Sequence, residues 1–125
     1  MTPGDVLGRA DAARKFHDVA SLVGSEDSEF RRVSIALSVL AGIAAGDAIC
    51  GRILGECSRG PDHRQAVALL RTVQGASDAA AALSRLLDEK DRAHYGSEAF
   101  SEPAVTGALR SSTALLAYME AVLAR

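Results

Sequence analysis

The stretch IALSVLAGIAAGDAIC, from Ile35 to Cys50, is the longest apolar run of the 125-residue chain. Small Ala and Gly residues alternate with larger aliphatic ones, so a helix formed here is apolar on nearly every side. Such a helix lies at the centre of a bundle or at an interface between chains. Ser38 and Asp47 interrupt the run, which falls short of the ~20 apolar residues that cross a membrane, and we therefore expect no membrane contact.

The composition favours a single small helical domain. Hydrophobic residues make up 48% of the chain but aromatic residues only 4%, so the core has to be built from Ala, Leu, Val and Ile in closely packed helices. The length fits one domain covering residues 1–125. The net charge of -2 gives no basic face of the kind that holds nucleic acid by charge alone. The first residues lack an apolar signal-peptide core, and we expect a cytoplasmic protein.

Capping residues and helix breakers divide the chain into four or five helices. No segment alternates as a strand does, so the sequence predicts an all-α, up-down bundle with a long central second helix. The small residues of that helix allow close approach of its neighbours, and its apolar surface predicts a homodimer that uses part of it. The boundary signals, in chain order, are Thr2 with Pro3, Gly24, Ser25 or Ser28, Cys57 as the end of the second helix, Asp62, Gly75 with Ser77, Tyr95, and Ser101 with Pro103.

Apolar positions at helical spacing predict a buried stripe on each of the later helices. The predicted positions are Val33, Leu37, Leu40, Ala44, Ala48 and Ile49 in the second helix, Ala66, Leu69 or Leu70, and Val73 in the third, and Val105, Leu109, Ser112, Leu116, Met119 and Leu123 in the last.

Two cysteines, Cys50 and Cys57, fall seven residues apart in the predicted second helix. Two helical turns hold their backbones ~10 Å apart, beyond the reach of a disulfide. We interpret them as reduced core thiols. With His63 they also suggest zinc, but the spacing matches no common structural site, and we expect neither a metal nor a cofactor.

Asp47 is a carboxylate inside an apolar helix, and burying it costs several kcal/mol unless it is paired. The sequence offers several donors. Asp47 is either a buried tie between helices or a carboxylate facing a cleft that binds a ligand. The candidate hydrogen-bond donors to the Asp47 carboxylate are Arg52, Arg59, Lys90, Tyr95 and Tyr118.

The stretch SRGPDHRQ is the best candidate for an anion site. Arg59 precedes a predicted helix, and His63 and Arg64 lie in its first turn, where free N–H groups attract phosphate. Asp62 can cap the same N–H groups, and the alternative is an ordinary capped loop.

The stretch EKDRAHYG carries titratable groups onto an apolar stripe, because Lys90 and His94 continue the helical spacing of Leu83 and Leu87. Asp91 and His94 are one turn apart, but a di-iron bundle needs two such pairs and more carboxylates. A histidine at a helix C-terminus also simply caps the helix.

LLDEKDRAHYG and the following SEPAVTGALRSSTALLAYMEAVL resemble the third and fourth helices of HEPN domains. In these, a basic residue, a short spacer and an aromatic-Gly turn precede an Ala-rich last helix. SIALSVLAGIAAGDAIC and SRGPDHRQAVALL are similar to the second and early third helices of small actinobacterial HEPN-like proteins. The resemblance covers most of the chain from about Ser34.

The resemblance implies a helical bundle, usually dimeric, that binds nucleotides or RNA and acts beside a nucleotidyltransferase in a toxin-antitoxin, defence or stress system. Catalytic members are metal-independent ribonucleases with Arg, four to six residues, then His. This motif is not intact here: Glu89 stands where the Arg nearest to His94 belongs, and Arg59 and His63 enclose only three residues.

If the site works, His94 is the general acid or base, Lys90 and Arg92 hold phosphate, and Tyr95 stacks or donates a hydrogen bond. Arg59 and His63 contribute from the facing loop. The rival class is a non-catalytic interaction protein that docks a partner on its second helix. A third class, a DNA-binding regulator, is disfavoured by the charge and by the lack of a helix-turn-helix.

Overall fold

The structure is a computed structural model that describes residues 1–24, 27–95 and 100–125, and only the backbone of residues 93–95. No strand occurs within these ranges, so the predicted all-α bundle is confirmed. The helices are α1 (Pro3–Val23), α2 (Ser28–Leu54), α3 (Arg64–Arg71), α4 (Ser77–Tyr95) and α5 (Glu102–Leu123).

α2 is the central helix, since it packs against each of the other four. Its small residues are what permit this. A methyl group at Gly42 would lie 2.5 Å from Leu86 Cδ1 in α4 and 3.2 Å from Leu115 Cδ1 in α5. α1 runs antiparallel to α2, because Arg9 contacts Asp47 while Ser34 Oγ donates to the carbonyl of Ala20. The predicted close approach of helices is confirmed.

Local capping explains where α1 and α5 begin. Thr2 Oγ1 accepts from the Asp5 N–H at 3.0 Å and Asp5 Oδ2 accepts from the Thr2 N–H at 2.9 Å, a reciprocal box before Pro3. Ser101 Oγ accepts from the Ala104 N–H at 3.3 Å. Both starts were predicted from the sequence, and α1 ends at Val23 with the expected Gly24 as its C-cap.

α2 differs from its predicted bounds at both ends. Its N-cap is Asp27, whose Oδ1 accepts from the Phe30 N–H at 2.9 Å; Ser28 is the first helical residue, and Ser25 lies outside the described residues. The helix ends at Leu54, because Gly55 adopts a left-handed φ of 78° and its N–H donates to the Gly51 carbonyl.

The early end of α2 corrects the prediction for the cysteines. Cys57 lies beyond the helix and is half-buried, so the two thiols do not share one helix and only Cys50 belongs to the core. Both thiols are free, as predicted. Burial raises the pKa of Cys50 to about 12.

The predicted break near Gly75 is confirmed, with that residue at φ 85° between α3 and α4. Asp62 Oδ1 accepts from the Arg64 N–H at 2.9 Å, but the N-cap of α3 is His63, which makes no side-chain capping bond, so the predicted cap lies one residue before the N-cap position. The buried positions of α3 are Val67 and Leu70, whereas the predicted Ala66 is half-buried.

The most buried line of α5 differs in part from the predicted stripe, because α5 packs against α1, α2 and α4. Val105, Ser112 and Met119 are buried as expected. Leu109, Leu116 and Leu123 are only half-buried, and their predicted places are taken by Ala108, Leu115 and Val122.

α2 is long and apolar enough to cross a membrane by length and composition, with a mean hydropathy of 2.0 over its best window. The sequence predicted that the apolar run is too short to cross a membrane, but the full helix is long enough. However, 67% of that window is buried against the rest of the bundle, which is how a core helix is placed.

Candidate functional site

The partner of Asp47 is Arg9 in α1, whose Nε and Nη2 donate to Asp47 Oδ2 at 3.2 and 3.0 Å. None of the donors considered from the sequence forms this pair, because the antiparallel packing of α1 brings a residue 38 positions away. The Asp47 side chain is 14% exposed. Burial raises the pKa of this carboxyl, while Arg9 and, more weakly, His63 act in the opposite direction. Asp47 thus ties two helices together, and it also reaches the surface.

An apolar depression of about 360 Å³ runs along α2, and we call it the α2 groove. Its floor is aliphatic, and its rim carries three basic side chains from α2, the loop before α3, and α4. The lining residues are Arg32, Ile35, Ala36, Val39, Leu40, Ile43, His63 and Lys90.

Two of the predicted site residues, His63 and Lys90, therefore meet at one groove. They also line an adjoining depression of about 200 Å³ beside Asp62 and Asp91. Lys90 is exposed, so the buried stripe of α4 ends at Leu87 and does not continue through the lysine as the spacing suggested.

Arg64 is held by α4 rather than free for a phosphate. Its Nη2 donates to Asp88 Oδ1 at 2.6 Å and to Asp91 Oδ2 at 3.1 Å, and its Nη1 donates to Ser84 Oγ at 3.2 Å. Two carboxylates beside the guanidinium would repel an anion. The predicted anion cradle is therefore not assembled around Arg64, and α3 is instead tied to α4.

Arg59 and Arg92 lie outside the α2 groove. The charge of Arg59 acts on Asp5, whose pKa is lowered chiefly by hydrogen bonds with Thr2 and only weakly by this arginine. Arg92 Nη1 donates to Glu89 Oε1 at 2.9 Å on the outer face of α4. The sequence predicted that both arginines would act beside Lys90, but neither of them lines the groove with it.

His94 and Tyr95 belong to the last turn of α4, but their side chains lie outside the described residues, and their predicted roles stay predictions. The carboxylate of Asp91 is engaged by Arg64. Within the described ranges, no group of three or more His, Cys, Asp or Glu side chains is placed to hold a metal.

Sequence reasoning missed that one line of α2 stays open to solvent. Val33 is 45% exposed and Leu40 is 44% exposed, although both were assigned to the core stripe. With Ala36 and Ile43 they form what we call the α2 stripe, which overlaps the α2 groove. A signal was present, because Glu29 and Asp47 fall on the same helical face and bracket these apolar positions.

A second depression, of about 430 Å³, lies between α4 and α5. Arg85 and Arg110 line it together with Asp88 and Glu89, so charges of both signs are present. Glu89 Oε2 is buried there without a hydrogen-bond partner among the described residues, but it is sealed from solvent and hence from a ligand.

In comparisons with known proteins, no family model and no curated protein matches the chain. The class defined by the fold is an all-α helical bundle. The resemblance to HEPN domains stays a prediction from the sequence.

Proposed function

We propose that this chain is a non-catalytic HEPN-like binding protein that works by docking another protein chain on α2. The observation that carries the proposal is the α2 stripe. A helix that forms the core on its other sides leaves Val33 and Leu40 nearly half exposed in one apolar line. Contiguous exposed apolar surface of this kind marks interaction sites, and a helix lying in such a groove is a common mode of recognition.

Site-specific photo-cross-linking in the cells that make the protein tests this proposal. A photoreactive benzoylphenylalanine replaces Val33 or Leu40, and Leu7 serves as the control because it is 62% exposed but lies outside the stripe. We expect one cross-linked species from positions 33 and 40 and none from position 7, with the captured chain identified by mass. Equal products from all three positions, or no products, would contradict docking on α2.

A nucleotidyltransferase-type protein is the partner implied by the HEPN-like resemblance, within a toxin-antitoxin, defence or stress system. The mass of the captured chain distinguishes such a partner from a second copy of this protein. A cytoplasmic location without membrane contact is part of the same proposal.

The second candidate function is binding of a nucleotide or RNA, favoured by the convergence of Lys90 and His63 on the α2 groove. Its volume of about 360 Å³ falls in the range of small-ligand sites. An aliphatic floor can take a base, and the Lys90 ammonium can take a phosphate. The general acid or base predicted from the sequence for cleavage is His94.

Lysine labelling tests this candidate sharply, because Lys15 and Lys90 are the two lysines of the chain. Reductive methylation with ¹³C keeps the charge and gives each amine its own NMR signal. On titration with AMP and then a short RNA, we expect the Lys90 signal to move and the Lys15 signal to stay. A stationary Lys90, or equal movement of both, would remove the candidate. RNA cleavage retained in a Lys90→Ala, His94→Ala double variant would exclude these two residues as its source.

A further inference from the structure

We infer that the chain docked on α2 is a second copy of this protein, held by an antiparallel, two-fold pairing of the two α2 helices. This inference rests on the proposed docking function and names its partner. The helical face that carries it is bounded by one charged residue at each end and is apolar between them. In chain order it consists of Glu29, Val33, Ala36, Leu40, Ile43 and Asp47.

The positions of this face are spaced symmetrically on either side of Ser38. When a second α2 runs antiparallel with its axis of symmetry at that level, Ala36 faces Leu40 and Val33 faces Ile43 of the other copy. A small side chain is then opposite a large one, as interdigitating helices require. A parallel pairing would set Ala36 against Ala36 and leave a gap.

The charges at the two ends agree with the same register. Glu29 of one copy lies level with Asp47 of the other, and Arg9 accompanies that carboxylate. Arg9 uses Nε and Nη2 on Asp47, which leaves Nη1 to donate to Glu29 of the second copy. Arg32 lies 3.8 Å from Glu29 within one copy. Each end of the pair therefore brings together two arginines and two carboxylates, without excess charge of either sign.

α1 extends the apolar contact beside the stripe. The α1–α2 register set by Arg9 with Asp47 and by Ala20 with Ser34 places Val19 close to the level of the symmetry axis. Val19 is 46% exposed, so it adds apolar surface where the two copies meet. On the opposite edge, the exposed Lys90 lines the α2 groove.

Sedimentation and light scattering of the purified chain at micromolar concentrations test the inference. We expect twice the chain mass of 13.0 kDa for the wild type. Leu40→Glu places a charge at the centre of the interface and should weaken association at least about thirtyfold, the loss typical of a central interface residue. Leu7→Glu, the matched control, should leave the dimer intact. Circular dichroism confirms that both variants fold, since both leucines are partly exposed.

Disulfide trapping tests the register in a Cys57→Ser background. A mixture of Ala36→Cys and Leu40→Cys chains should cross-link far more than either variant alone, because like positions are offset by about 6 Å along the axis. A monomeric wild type would overturn the second-copy inference, as would cross-linking that is equal in the mixture and in the separate variants. If the chain is monomeric but photo-cross-links to a different protein at positions 33 and 40, the docking function stands while this inference fails. If it is monomeric and captures nothing, both fail.

Discussion

Substituting Gly42 by alanine gives a direct measure of how closely the helices pack around α2. The new methyl group would lie 2.5 Å from Leu86 Cδ1 and 3.2 Å from Leu115 Cδ1, and both leucines are fully buried. Neither side chain can move without displacing its own neighbours. Gly107 in α5 is the matched control, because a methyl group there meets nothing within 4 Å.

Two terms set the magnitude. Replacing glycine by alanine inside a helix stabilises it by about 1 kcal/mol, and this gain applies to both Gly42 and Gly107. Overpacking a filled core costs about 1–3 kcal/mol and applies to Gly42 alone. We therefore expect Gly42→Ala to lose about 1 kcal/mol of unfolding free energy and Gly107→Ala to gain about 1 kcal/mol. Gly46→Ala should fall between them, since its nearest neighbour, Leu83 Cδ2, would be 3.4 Å away in ordinary contact.

Urea unfolding followed by circular dichroism at one fixed protein concentration measures these differences. Thermal unfolding gives a second measure. A change of 1 kcal/mol in unfolding free energy shifts the thermal midpoint by about 4 °C in a chain of this length, so the midpoints of the Gly42 and Gly107 variants should differ by about 8 °C. Equal stabilisation of the two variants would refute the close approach of α4 and α5 to α2. A changed urea slope would instead indicate an altered unfolded state.

Three further predictions concern the ionisable and thiol groups. Burial raises the pKa of Asp47 above its usual 3.8 despite Arg9, so the folded protein holds this proton more tightly than the unfolded chain. Wild-type stability relative to Asp47→Asn should therefore fall as the pH rises from 3.8 through the raised pKa, and a flat or rising difference in denaturation midpoints would contradict this reasoning. Arg64→Lys keeps the charge but loses the two-pronged guanidinium contact with α4, and it should lower the free energy of unfolding by only about 0.5 kcal/mol because solvent screens the group. Amide hydrogen exchange in α3 should become faster in this variant. Unchanged exchange would show that the guanidinium contact is not needed to hold α3 on α4. Cys57 should react with an aromatic disulfide reagent in the native protein, whereas Cys50, with a pKa of about 12, should react only on unfolding. Reaction of both thiols at the same rate in the native protein would argue against the burial of Cys50.

The candidate site was predictable only in part. Lys90 and His63 were singled out from the sequence, and the fold brings both to the α2 groove. Arg92 was grouped with Lys90 because the two are close in sequence, but a helix turns neighbouring side chains to different faces. Arg59 was grouped with His63, but it lies in the loop between α2 and α3 and outside the groove. Asp47 was correctly expected to need a donor. Its donor was not found, because the choice among many arginines depends on which helix packs alongside.

The sequence by itself determined the features that depend on contacts within about one helical turn. Thr2 and Ser101 cap the starts of helices, and Gly75 separates α3 from α4, because capping bonds and backbone conformation are local. The open side of α2 was not predicted from the sequence. Along the apolar run itself no side is marked, and the angular signal comes from Glu29 and Asp47, which lie on one helical face at its two ends. Only the tertiary structure left Val33 and Leu40 open to solvent, by packing the other four helices around the rest of α2.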